Sequence, residues 1–115
     1  MEIVRHESNG RMSKVVIYNN TLYVSGQTAR GVEEDIKKQT QAVLEKIEQI
    51  LRQYGSGKDK LLSATIYLKD MSLFEGMNSV WDSWVIPGNE PARATVQAAL
   101  ADSGLLVEVS VIAAV

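Results

Sequence analysis

The chain contains no cysteine, which rules out disulfides, thiolate nucleophiles and cysteine-ligated metals. It has one histidine, His6, so a multi-histidine metal site or a Ser–His–Asp relay has little material to draw on. Charge of one sign is also missing: 12 basic and 14 acidic residues give a net charge of −2, with no block of like charges. Nucleic-acid binders need a basic stripe because phosphate contacts dominate their affinity, so nucleic acid is disfavoured as a partner. No apolar run approaches the roughly 20 residues that span a bilayer, and the opening Met1–Glu7 lacks the apolar centre of a secretory signal. The expectation is a soluble, cytoplasmic protein with no membrane partner and no metal.

What remains is ordinary globular material. Of 115 residues, 45% are hydrophobic and 23% charged, which fits one domain over residues 1–115. A chain of this size buries roughly two-thirds of its unfolded surface, enough for one core without staples.

Hydrophobic patterning divides the chain. Ile3-Val4-Arg5 reads as a short first strand, broken by Ser8-Asn9-Gly10. The β-branched run from Ser13 to Tyr18 reads as a second strand, and Asn19-Asn20 as a two-residue hairpin turn, since asparagine tolerates positive φ. The strand returns over Thr21 to Ser25 and ends at Gly26-Gln27, where a glycine permits close approach of backbone or ligand. After Gly31, the residues Ile36, Thr40, Val43, Leu44, Ile47, Ile50, Leu51 and Tyr54 recur at helical spacing, with Gly55 as the stop. Lys60 to Lys69 alternates as a strand, with Leu62, Ala64, Ile66 and Leu68 expected on the helix side. Ser72 and Glu75 are spaced as a capping box ahead of a second helical stripe of Phe74, Met77, Trp81, Trp84 and Val85. The tryptophans in it read as core or interface. Pro87-Gly88 ends this helix, and two strands follow, from about Arg93 to Ala99 and from about Leu106 to Ala114. The order β-β-β-α-β-α-β-β predicts an α+β fold: a single sheet with two helices packed on one face.

Two residues stand out for their chemistry. Arg93 leaves the Pro87–Pro91 loop, and its guanidinium matches a carboxylate bidentately. Glu108 lies in the apolar run Leu106–Val111, where a carboxylate must find a partner or change its pKa. Alternation puts Arg93, Thr95 and Gln97 on one face of their strand, and Glu108 and Ser110 on one face of the next. Together they predict a polar sheet face, mixed with Tyr67, Ala99 and Ile112, that suits an oligomer interface better than open solvent. Two readings of the pair stay open. Glu108 is either a structural partner, of Arg93 or of a neighbouring subunit's backbone, or a group that works on a ligand held by Arg93.

The element order, Tyr23-Val24-Ser25-Gly26-Gln27, Pro91-Ala92-Arg93 with Thr95-Val96, and Val107-Glu108-Val109 together resemble the RidA family (YjgF-type reactive-intermediate deaminases) over essentially the whole chain. Trp81–Val85 and the ending Val111–Val115 look most like its YoaB-like members. The resemblance implies a chorismate-mutase-like fold and a homotrimer with clefts between subunits. It also implies hydrolysis of enamines or imines of small 2-imino acids to 2-oxo acids and ammonia, with no cofactor. By position, Arg93 corresponds to the carboxylate-binding arginine and Glu108 to the glutamate that activates or orients water. Ser25 and Gly26 would line the cleft, and the Thr95 backbone would face the imine nitrogen or the water. The match departs at Gly10-Arg11-Met12, where the family often carries a tyrosine, and at Leu100-Ala101 in place of leucine-proline. These departures bear on rate and substrate, not on fold. Three functions follow: a trimeric imine deaminase, a non-catalytic trimer holding a small carboxylate-bearing ligand, and an endoribonuclease or translation inhibitor, which the acidic balance disfavours.

Overall fold

A computed structural model describes residues 1–115 as one six-stranded mixed sheet and two helices. The strands are β1 (Val4–Ser8), β2 (Ser13–Tyr18), β3 (Thr21–Thr28), β4 (Leu61–Leu68), β5 (Ala92–Gln97) and β6 (Val107–Ala114). The helices are α1 (Ile36–Gln53) and α2 (Phe74–Trp84), with short 3₁₀ turns at Lys58–Lys60 and Met71–Leu73. The β-β-β-α-β-α-β-β order of the sequence reading holds throughout.

Local chemistry explains the boundaries. Asn19 and Asn20 take φ of 52° and 58°, which closes the β2–β3 hairpin with the twist that antiparallel strands prefer. Asp35 caps α1 by accepting from the Lys38 N–H at 3.0 Å. At the other end Gly55, with φ +84°, turns the chain so that its N–H reaches Arg52 O and the Ser56 N–H reaches Leu51 O. The expected Ser72–Glu75 capping box does not form. Asp70 accepts from the Ser72 N–H at 2.8 Å and starts a 3₁₀ turn instead, because its side chain sits one residue before the turn begins. These hydrogen bonds from Ser72, side chain and backbone, hold the Asp70 carboxyl below its usual range.

The sheet order is β1-β2-β3-β6-β4-β5, antiparallel except for the parallel β4–β5 pair. Both helices cover the same face, and the core lies between: Val15, Leu22, Val24, Ala64, Ile66, Leu68, Val109 and Val111 from the sheet meet Val43, Leu44, Ile47, Leu51, Met77 and Trp81 from the helices. Leu62, expected on the helix side, is half exposed, because a register shift between Leu61 and Ser63 lets Leu61 take the inward place.

The last two strands are neighbours in sequence but not in space. β4 lies between β5 and β6. Arg93 is level with Ala64, and Glu108 with Tyr67. Ala64 faces the core and Tyr67 the other way, so Arg93, Thr95 and Gln97 project on the helix-covered side and Glu108 and Ser110 on the bare side. The expected common polar face is therefore two separate surfaces. Alternation is fixed within each strand, but the phase between strands is set by pairing partners that the sequence pattern does not reveal.

Candidate functional site

The first surface is built on the outer edge of β5. Arg93 is half-buried. Its Nη1 donates to Asn78 Oδ1 at 2.8 Å, and its Cζ lies 5.3 Å from the Trp81 ring centre and 5.9 Å from that of Phe74. All three contacts come from α2, where residues 74, 78 and 81 share a face at spacings of four and three. The ion pairs of the chain join Lys14 to Glu7, Arg30 to Asp102, Lys38 to Glu33, and Arg52 and Lys58 to Glu48. Arg93 is in none of them, so the guanidinium has no anionic partner and keeps donors to spare.

The backbone adds further donors. Ala98 N–H donates to Leu68 O at 2.9 Å, across to β4. Backbone groups on a strand alternate sides, so those of Ala94 and Val96 also point to β4. Those of Arg93, Thr95 and Gln97 point out of the sheet edge. The Thr95 N–H thus opens onto the edge that Arg93 occupies, while its Oγ1 is buried with no hydrogen-bond partner.

The second surface is on the bare side. Glu108 is half-buried, between Thr28 of β3 and Tyr67 of β4, and also takes part in no ion pair. Its carboxylate lies against the Cα of Gly26, so close that a methyl group built there would overlap Oε2. Ser25 and Gly26 sit where the β3–β6 register shifts, between Val24 and Gln27. The buried Gln27 pins this bulge, donating from Nε2 to Ser25 O at 3.0 Å and to Ser25 Oγ at 3.3 Å. The structure therefore gathers Glu108, Ser25 and Gly26 in one place and Arg93 and Thr95 in another, with the sheet between them. It also rules out the reading of Glu108 as a structural partner of Arg93 within one chain.

The surface concavities of a single chain include neither Arg93 nor Glu108. One, of about 500 Å³, touches this region only through Gln97 and runs along the loop after β5. No cluster of acidic or histidine side chains has metal-site geometry. Of the residues that hold Arg93, Phe74 and Trp81 lie in the expected helical stripe, with Trp81 in the core as read, whereas Asn78 escapes the sequence reading. Asn78 left one signal, a polar residue on the face shared by Phe74 and Trp81 at helical spacing.

Residues 3–115 match the family model described as endoribonuclease L-PSP. The RutC family protein YoaB of Escherichia coli is 44% identical over 115 residues, all of both chains. A RutC family protein of Haemophilus influenzae is 40% identical over 98% of each. Among solved structures, a member of the YjgF protein family from Neisseria meningitidis superposes with a TM-score of 0.95 at 38% identity, covering 99% of this chain and 95% of its own.

Proposed function

The chain belongs to the endoribonuclease L-PSP family, also called YjgF/RidA, and we propose that within it the chain is a deaminase that hydrolyses small 2-imino or 2-enamino acids to 2-oxo acids and ammonia. The observation that carries this reading is Arg93: a half-buried guanidinium, stacked and oriented, with no carboxylate of its own. A group so held is a receptor for a carboxylate that arrives with a ligand. The outward Thr95 N–H supplies a second donor beside it.

Glu108 is the general base of this scheme. A protonated imine is already electrophilic, so the site has only to position it and a water. Glu108 takes a proton from that water as oxygen adds to the imine carbon. Glu108 returns that proton to nitrogen and then takes the hydroxyl proton as the C–N bond breaks, ammonia leaves and the carbonyl forms. Neither a nucleophilic side chain nor a redox change is required.

Arg93 and Glu108 of one chain lie on opposite sides of its sheet, so a small substrate touches both only if they come from different subunits. The proposed site is a cleft of a homotrimer, with Arg93 and Thr95 from one subunit and Glu108, Ser25 and Gly26 from the next. The test is release of 2-oxo acid from imines generated in place by an amino-acid oxidase, with semicarbazide trapping free imine. Wild type is expected to outcompete the trap and Arg93→Ala to fail. Failure of wild type across several side chains would sink the deaminase reading.

A non-catalytic carboxylate-binding trimer is the second reading. Met12, with no hydroxyl to offer, favours it: the side chain is exposed on a tight turn in which Asn9 Oδ1 accepts from the N–H groups of Arg11 and Met12, both at 2.9 Å. An endoribonuclease is a third reading, suggested by the wording of the family's description. One histidine and a net charge of −2 give it little to work with.

A further inference from the structure

We propose that Asn78 is the positioning residue of Arg93, and that its neutrality reserves the guanidinium's charge for the ligand's carboxylate. The inference rests on the reading of Arg93 as a carboxylate anchor.

Arginine can only donate, so the oxygen of the Asn78 amide must face it, which is the 2.8 Å contact observed. The amide nitrogen makes no hydrogen bond within the chain. The other two contacts are the rings of Trp81 and Phe74, over which the guanidinium carbon lies. Each of the three favours a cation without cancelling it: the amide is a neutral acceptor, and the rings act through their quadrupoles. The cradle thus holds one edge of the fork and leaves the net charge unspent.

Stability alone would favour a different residue. Aspartate has the shape of asparagine, and an ionised carboxylate accepts from arginine roughly twice as strongly as an amide does. With a carboxylate at position 78 the guanidinium would be better held, but an incoming carboxylate would meet a neutral pair instead of a cation. Asparagine is the choice that orients Arg93 at the least cost to its attraction for an anion.

This separates two effects that usually move together. Asn78→Asp should melt at or above the wild-type temperature yet bind a small carboxylate about tenfold more weakly, or worse, on the scale of one lost charge-assisted hydrogen bond. Asn78→Ala should melt lower, because it leaves the guanidinium short of a partner, yet lose less affinity than Asn78→Asp. A merely structural role predicts the reverse order in binding. The probe is 2-oxobutanoate, titrated calorimetrically into the purified, assembled wild type and both variants, with melting curves on the same samples. Binding by Asn78→Asp within about twofold of wild type, a smaller loss than that of Asn78→Ala, or a melting temperature below that of Asn78→Ala would each overturn the inference while the anchor reading stood. No binding by wild type at millimolar 2-oxobutanoate would instead overturn the anchor reading, and the inference with it.

Discussion

At the scale of single residues, Arg93 and Glu108 are each completed by a neighbour that is neither charged nor reactive. For Glu108 the neighbour is Gly26, whose missing side chain is the space the carboxylate fills. Gly26→Ala should therefore push Glu108 out of place and leave Arg93 untouched. A misplacement of about 1 Å can cost on the order of a hundredfold in rate. We expect a fall of that size in kcat for 2-oxo acid release, with KM nearly unchanged because the carboxylate anchor is elsewhere. Equal falls in both constants, or an altered circular dichroism spectrum, would show the effect to be general. Glu108→Gln keeps the shape and removes the base, and should cost about 10² to 10⁴ in the same assay with 2-oxobutanoate binding preserved.

At the scale of elements, two side chains tie segments that regular hydrogen bonding leaves loose. Gln39 of α1 is fully buried and donates to Gly104 O (2.8 Å) and Glu33 O (3.3 Å), while its Oε1 accepts from the Leu106 N–H (2.9 Å). It fixes both the loop that enters α1 and the loop that feeds Glu108 into β6. Gln39→Leu strands these backbone groups and should lower stability by about 2 kcal/mol or more, measured by urea denaturation. The second tie joins edge strand β1 to the end of α1: the Tyr54 hydroxyl donates to Glu7 Oε2 at 2.7 Å and the His6 and Tyr54 rings meet at 4.6 Å, tilted by 38°. The hydroxyl holds the Glu7 carboxyl below its usual range, and Glu7 in turn raises the Tyr54 phenol above its ordinary value. Glu7 is favoured ionised and Tyr54 favoured neutral. The contribution of the tie is therefore complete above the ordinary glutamate range, is lost as pH falls through the lowered Glu7 value, and is lost on the alkaline side as Tyr54 ionises. Tyr54→Phe should abolish the alkaline limb, shrink the acid one to what the Lys14–Glu7 ion pair supports, and speed amide exchange in β1 at neutral pH, with the core strands β3, β4 and β6 unaffected.

The elements themselves were legible in the sequence because each rests on a local pattern: the Ile36–Tyr54 stripe, the Asn19-Asn20 turn, the alternation of β4. The pairing was not. Nothing in Arg93–Gln97 says that it runs parallel to β4 at the sheet edge, and nothing in Val107–Ala114 says that it inserts between β3 and β4. Arg93 and Glu108 were therefore visible as residues, but their separation by a sheet was not. Asn78 was missed because its role depends on Arg93 crossing to α2, a contact fifteen residues away in sequence.

At the scale of the whole molecule, both helices cover one face of the sheet and the other is bare. That bare face carries Tyr18 and Tyr23, with Val96 near the edge, each more than 40% exposed, beside the half-buried Tyr67 and Ile112. Exposed apolar side chains on an otherwise uncovered sheet face are what the proposed trimer interface would bury. A trimer built on it could bring the β5 edge of one subunit to the Glu108 surface of the next, and a site shared in that way has a consequence no single-chain site can imitate. Homotrimers of Arg93→Ala lack every anchor and homotrimers of Glu108→Gln lack every base, so each should be inactive. If the two are unfolded together in equal amounts and refolded, a cleft is complete when the subunit supplying Arg93 is the Glu108→Gln chain and its neighbour is the Arg93→Ala chain. Each condition holds half the time, so roughly a quarter of the clefts should regain full activity. A site contained in one chain regains none, because no chain in the mixture carries both residues. Activity near a quarter of refolded wild type would establish the shared cleft, and activity at the level of the separate variants would rule it out.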